Sequence, residues 1–258
     1  MVGDDIWAEF KARQATESIP YPNCLDGIND KVKGIRQGEI TLFTSGTGSG
    51  KSTVIKEIVL DLLEKTDDKI GLISLEESVG DTAEKFISMQ LQRPVMDPPP
   101  LTDHQLRIGF DAVFGDDRLV LLDHQGSVGD SSLTDKIEYM ALMGCKYTVL
   151  DHITIAVSEG TEGLSGNEAI GKMMSDLLKI VKKHNVWLGL ISHLRKSQSG
   201  ASSFEEGKFA SIDDIKGSGS IKQISFDIIS FARNLVADDP TDRNTIRFRV
   251  LKSRFTGL

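Results

Sequence analysis

Residues 39–53 read EITLFTSGTGSGKST, and this stretch decides both a fold and a ligand. A β-rich apolar run from Ile40 to Phe43 breaks off at Ser45-Gly46-Thr47-Gly48-Ser49-Gly50-Lys51-Ser52-Thr53. Val54, Ile55, Ile58, Val59, Leu62 and Leu63 then recur at helical spacing. Strand, glycine-rich turn and helix is the setting of a phosphate-binding P-loop. The glycines let successive backbone N–H groups turn toward phosphate oxygens, and the following helix presents its positive end to them. Lys51 is placed to neutralise the β- and γ-phosphates of a nucleoside triphosphate, and the Ser52 hydroxyl to hold Mg2+. One position departs from GxxxxGK[ST]: its first glycine is Ser45 here. A glycine-rich hairpin with a chance Lys-Ser pair is the plain alternative, and it leaves the flanking strand and helix unexplained.

The 258 residues carry a net charge of −8 and 39% hydrophobic residues. That is ample for one large α/β domain, alone or with a small appendage. The longest apolar runs fall far short of the roughly 20 residues that span a bilayer, and no charged-then-apolar leader opens the sequence, so no membrane partner is expected. Cys24 and Cys145 have neither metal-ligand spacing nor a disulfide framework. A reducing cytoplasm is therefore the expected compartment. Five histidines scattered without cysteine partners argue against structural zinc. The acidic balance weighs against a broad basic face for nucleic acid, yet it leaves room for a few loops lining a channel.

Residues 4–16 form a short amphipathic segment with Ile6, Trp7 and Phe10 apolar, cut off by Ile19-Pro20-Tyr21-Pro22, which cannot continue a helix. Two units are expected: a linker helix with its Pro-rich linker over 1–22, and the main domain over 23–258. The helix packs either on its own domain or on a neighbouring subunit. From Glu39 onward apolar β-rich runs alternate with helical patterns. Strands are predicted at 70–75, 119–122, 147–150, 186–192, 224–231 and 245–251, with helices near 81–91, 133–143 and 167–183. That alternation predicts an α/β fold, mainly a parallel sheet flanked by helices, with ligands gathering at the strand C-termini.

Three strand ends there are polar. In GLISLEES, Glu76 is placed to activate a water that attacks a γ-phosphate, while Glu77 and Ser78 suit a helix N-cap. In YTVLDH, Asp151 ends an apolar strand in the manner of a Walker B carboxylate, steadying Mg2+. In LGLISHLR, His193 ends a further strand; taken alone it reads as a satisfied core histidine, and beside Walker B it can touch a γ-phosphate. Residues 195–220 are long, polar and Gly/Ser-rich, as functional loops are. Lys252-Ser253-Arg254 follows the last strand and reads either as a solvated basic pair or as an arginine finger reaching a neighbour's nucleotide.

The ordered motifs resemble the RecA-like ATPase domain of hexameric replicative helicases, the DnaB superfamily, and most closely the helicase half of podovirus-type phage primase-helicases. The matching stretches are GINDKVKGIRQGEITLFTSGTGSGKST, GLISLEESVGDTAE, YTVLDHITI, ISHLRK, EEGKFASIDDIKGSGSIKQISFDIISFARN and VLKSRFTG, collinear over residues 27–257. Those phage enzymes share the serine at the first P-loop glycine. The resemblance implies a RecA-like P-loop NTPase core in which residues 45–53 hold the nucleotide and Ser52 and Asp151 hold Mg2+. It implies Glu76 as catalytic base and His193 as γ-phosphate sensor, with Gln223 as a second sensor. Arg233 would pack on the nucleotide base, and Arg254, assisted by Lys252, would act on the adjacent subunit's nucleotide. Arg195, Lys196, Lys208, Lys216 and Lys222 would lie in or near loops facing single-stranded DNA, and residues 4–16 would dock on the adjacent subunit.

The function so implied is a 5′→3′ DNA helicase driven by ATP or dTTP and built as a homo-oligomeric ring, a hexamer, with primase and DNA polymerase as partners. No primase or zinc-binding region precedes the match, so priming is expected from elsewhere. Relatives continue with more sheet where this sequence ends at Leu258. A filament-forming recombinase of the RecA/RadA type and a KaiC-like regulatory ATPase share the same core. The linker segment and the LEES and KSRFTG stretches fit the helicase better.

Overall fold

The computed structural model describes residues 2–122, 133–153, 166–194, 204–215 and 218–257. Its centre is β3 (Ile40–Ser45), the strand that ends in the glycine-rich turn. All six residues of β3 are buried, because it pairs in parallel with β7 (Trp187–His193) on one side and β8 (Asp227–Arg233) on the other. Outward from β7 lie β6 (Cys145–Asp151), β4 (Lys69–Ser74) and β5 (Leu119–Leu122), and beyond β8 lies β9 (Ile246–Ser253). The order is β5-β4-β6-β7-β3-β8-β9, and every pairing is parallel except β8 with β9. The mainly parallel sheet with helical crossovers is as the sequence predicts.

Period-two alternation splits the strand side chains between two cores. Phe43, Val149, Trp187, Ile229 and Phe231 face one side, under α2 (Asp26–Val32) and α3 (Lys51–Lys65). Ile40, Leu42, Leu150, Leu188, Leu190 and Ile228 face the other, under α6 (Leu133–Leu142), α7 (Gly166–His184) and α8 (Ser218–Ile224). Phe43 is the keystone of the first core, with ring centroids 6.4 Å from Tyr21, 6.4 Å from Trp187 and 6.0 Å from Phe231.

Two elements differ from the sequence expectation. The strand predicted from Ile224 begins at Asp227, because residues 218–224 form α8, whose Ile221 packs into the second core. Residues 18–22 are not a bare linker. β1 (Ser18–Ile19) pairs antiparallel with β2 (Ile35–Arg36), and Tyr21 is wholly buried. The Asn29 side chain clamps Tyr21, accepting its N–H at 2.7 Å and donating to its carbonyl at 3.1 Å.

The helix α1 (Asp4–Gln14) is a different case. Asp4 and Asp5 in its first turn and Lys11 and Arg13 in its last complement the helix dipole. It buries none of its residues: Trp7 is 60% exposed and stacks on Phe10 with centroids 5.4 Å apart. Of α4 (Val79–Gln90) and α5 (Asp103–Phe114), the sequence pattern predicts only the first. α5 opens on a capping box between Thr102 and Gln105.

Candidate nucleotide site

The turn after β3 has the backbone that phosphate binding demands. Gly48 and Gly50 take φ of 73° and 88°, a left-handed conformation that a Cβ would strain. A Cβ on Gly46 would lie 2.7 Å from that of Phe204, so this part of the loop runs tight under Phe204. Ser49 is buried and donates from Oγ to the Gly46 carbonyl at 2.6 Å, while Thr47 and Thr53 face solvent. Ser45 is buried and closes the strand.

Lys51 opens α3 and is 9% exposed, its Nζ donating to the carbonyls of Ser45 (3.2 Å) and Gly46 (3.0 Å). Burial lowers its pKa, and the carboxylates of Asp151 and Glu76 pull it back up. The ammonium is thus held over the loop by two carbonyls, with a carboxylate from the end of β6 and one from just beyond β4 favouring its charge. Ser52 Oγ donates to Asp151 Oδ2 at 3.1 Å. Asp151 ends β6 and is buried; desolvation raises its pKa, with the Ser52 hydrogen bond and Lys56 acting against it. A hydroxyl against a buried carboxylate is a hard oxygen set, which fits Mg2+.

Glu76 lies two residues beyond β4 and is half exposed, with Oε1 2.9 Å from His152 Nε2 and 4.0 Å from His193 Nε2. The two imidazoles meet edge to face, centroids 4.0 Å apart. Three neighbouring strands, β4, β6 and β7, therefore bring Glu76, His152 and His193 to one point on the sheet's C-terminal edge. No sequence signal singles out His152 beyond its place after Asp151; its partner is 76 residues away. Glu77 and Ser78 divide the roles expected of them together. Ser78 Oγ accepts from the Asp81 N–H at 3.1 Å as N-cap of α4. The Glu77 carboxylate bridges Lys56 of α3 (3.1 Å) and Lys85 of α4 (2.5 Å). Burial works against that carboxylate, but the two lysines outweigh it and hold its pKa low.

Arg233 ends β8 near the P-loop, since Phe231 of the same strand pairs with Ser45. Its guanidinium donates to the Arg243 carbonyl (2.6 Å) and to Asn244 Oδ1 (2.8 Å), the last two residues of α9 (Pro240–Asn244). Gln223 and Lys222 are exposed on α8, with Lys222 Nζ 3.4 Å from Asp213. Lys208 is exposed over the Phe204 ring at 5.6 Å. Arg195, Lys196 and Lys216 lie outside the described residues.

Arg254 sits elsewhere. β9 runs antiparallel, so its end pairs with the beginning of β8, Ser253 opposite Asp227. The Arg254 N–H donates to the Phe226 carbonyl (2.9 Å), and the Phe226 N–H to that of Ile40, the first residue of β3 (2.8 Å). Arg254 therefore lies at the N-terminal edge of the sheet, about 20 Å from the P-loop at the other end of a six-residue strand. Its guanidinium stands over the Phe226 ring at 5.2 Å. Lys252 is turned back on its own chain: Nζ donates to the Ser225 carbonyl at 2.7 Å and to the Lys222 carbonyl, closing the last turn of α8. Burial and the nearby Arg254 lower its pKa. Beneath this corner Arg36 holds Glu39 (2.9 Å) and lies 3.5 Å from the buried Asp227, with the Phe255 ring 4.1 Å above its guanidinium.

The chain is 35% identical over 237 residues, 90% of its length, to the DNA helicase/primase of Enterobacteria phage T3, of which it spans 41%. Its fold matches a solved ATPase domain with a TM-score of 0.72, covering 97% of this chain and 89% of that one at 14% identity. It also matches a DnaB-like replicative helicase, from a study of its interactions with primase, with a TM-score of 0.78. That alignment covers 98% of this chain and 63% of the other, again at 14% identity. Residues 22–257 match the family described as the DnaB-like helicase C terminal domain, and with that match the chain belongs to this family.

Proposed function

We propose that this domain is the motor of a replicative DNA helicase that works as a ring, a hexamer, and moves 5′→3′ on single-stranded DNA. Each nucleotide would sit between two subunits. The observation that carries this is the placement of Arg254. Arg254 lies on the sheet edge opposite its own P-loop, out of reach of that site within one sheet, which supports a role on a neighbour's nucleotide. The exposed α1, with Trp7 and Phe10 outward, supplies a surface with which residues 1–22 can hold the adjacent subunit.

Within one site, the loop 45–53 binds the triphosphate of ATP or dTTP. Lys51 leaves the Ser45 and Gly46 carbonyls for the β- and γ-phosphates, while Arg233, steadied by α9, flanks the base. Ser52 and Asp151 would hold Mg2+, which supplies charge neutralisation at the phosphates. Glu76 takes the proton of the attacking water. His193, within reach of Glu76, reports the γ-phosphate to the polar loop that follows, and Gln223 serves as the second sensor. Lys208 and Lys222, with Arg195, Lys196 and Lys216, contact the DNA phosphates. Lys252 acts by fixing the end of α8 behind Arg254. Primase and DNA polymerase would be its partners and a host's cytoplasm its place of work; the helicase/primase relative supports the first of these. Among the described residues no helix is long and apolar enough to cross a membrane.

The test is NTP hydrolysis and strand unwinding by the purified chain with and without single-stranded DNA. DNA-stimulated hydrolysis that disappears in Lys51→Ala is the expected result. Hydrolysis at the wild-type rate in Lys51→Ala, or hydrolysis indifferent to DNA, overturns the proposal.

A further inference from the structure

Glu76, His152 and His193 form a set of donors unlike the rest of the nucleotide site. The Ser52–Asp151 pair offers oxygen alone, whereas this cluster offers two imidazole nitrogens and one carboxylate oxygen, all within 4.8 Å of one another. Nitrogen donors favour zinc, cobalt, nickel and copper over magnesium. A tetrahedral zinc ion with bonds of about 2.0–2.1 Å places its donors about 3.3 Å apart. The Glu76 oxygen stands 2.9 Å from one imidazole nitrogen and 4.0 Å from the other, on either side of that spacing.

The supports are rigid where they must be. His152 is buried directly after β6 and His193 ends β7, adjacent strands of the central sheet. Glu76 is 52% exposed, so its carboxylate can pivot toward the imidazoles and leaves a path of entry from solvent. Three protein ligands with a fourth position open is the arrangement of a reactive zinc site rather than a closed structural one.

We propose that Glu76, His152 and His193 constitute a binding site for a transition-metal dication of the zinc type, and that its occupation silences hydrolysis. Metal would replace the Glu76–His152 hydrogen bond and draw electron density from the Glu76 carboxylate, lowering its basicity toward the proton of the attacking water. The silencing rests on Glu76 being the base proposed above; the binding does not.

The experiment uses the whole chain in a Cys24→Ser background, since Cys24 is an exposed free thiol and thiolates are zinc ligands. Zn2+ is titrated against a chromophoric chelator, and Co2+ is followed by its visible absorption, with Mg2+ in excess. One equivalent per chain is expected, with affinity in His152→Gln and in His193→Gln falling by more than the roughly 10–100-fold that loss of an outer-shell partner costs. Each variant is first checked for an unchanged unfolding midpoint, and the pair guards against one failing to fold. In parallel, stoichiometric Zn2+ should lower NTP turnover at least tenfold without reversal by added Mg2+. Absence of a bound equivalent, equal affinity in both variants and the parent, or undiminished turnover on a filled site overturns the proposal. A metal-free chain that hydrolyses no NTP instead counts against the proposed function, and leaves the binding titration to be read on its own.

Discussion

Replacing Asp227 with Asn should remove a pH dependence from the stability of the domain. Asp227 is 1% exposed at the start of β8, and burial raises its carboxyl from 3.8 to about 6. Arg36, 3.5 Å away, pulls in the opposite direction without cancelling the desolvation. Between those two values the folded chain holds a proton that the unfolded chain has lost. Stability from this group is therefore complete below about pH 3.8 and is lost as pH rises through about 6. Integrated from pH 4 to pH 7, the loss is about 2 kcal/mol. Asn stays neutral throughout. Arg36 keeps its other partners, Glu39 and the carbonyls of Val32, Lys33 and Gly34, at 2.8–3.2 Å, so no lone buried cation results. Urea unfolding of both proteins at pH 4, 5, 6 and 7 cancels the carboxylates they share. The variant should gain on the wild type by about 2 kcal/mol across that range. A difference that stays constant with pH refutes the reasoning.

Arg254→Ala should keep nucleotide affinity and lose turnover by about 10³-fold or more. In mixtures with Lys51→Ala chains, activity should partly return, because each variant supplies the half-site the other lacks. Trp7→Ala should leave monomer stability within about 0.5 kcal/mol, since the side chain is exposed; mass in solution with a non-hydrolysable NTP should nonetheless fall toward that of single chains. Phe43→Ala should cost about 3–5 kcal/mol in a denaturant titration, because it empties the space between Tyr21, Trp187 and Phe231.

What can be read from the sequence is what the chain encodes locally. Residues 39–65 carry strand, turn and helix in consecutive positions, and Asp151 is marked by the apolar run before it. Apolar β-rich runs place the main-sheet strands within a residue or two, except where Ile221, Ile224 and Ile228 let a helix and a strand share one apolar stretch. Contacts closing over long separations leave no local trace. The Glu76–His152 hydrogen bond spans 76 residues and the Arg36–Asp227 pair spans 191. The position of Arg254 depends on β9 running antiparallel, which its side-chain pattern does not encode. α5 is announced only by Thr102 and Gln105, in a stretch where Pro98, Pro99 and Pro100 dominate the reading.

The separation of the P-loop and Arg254 to opposite ends of one sheet has a kinetic consequence under the proposed function. With Arg254 acting on a neighbour's nucleotide, a solitary protomer would hold two incomplete halves of a catalytic centre. Its rate law for hydrolysis would then contain protein concentration to a power above one. Specific activity would fall on dilution even with nucleotide saturating every P-loop. Chains not yet assembled would bind nucleotide and keep it, and hydrolysis would begin only with the proposed ring.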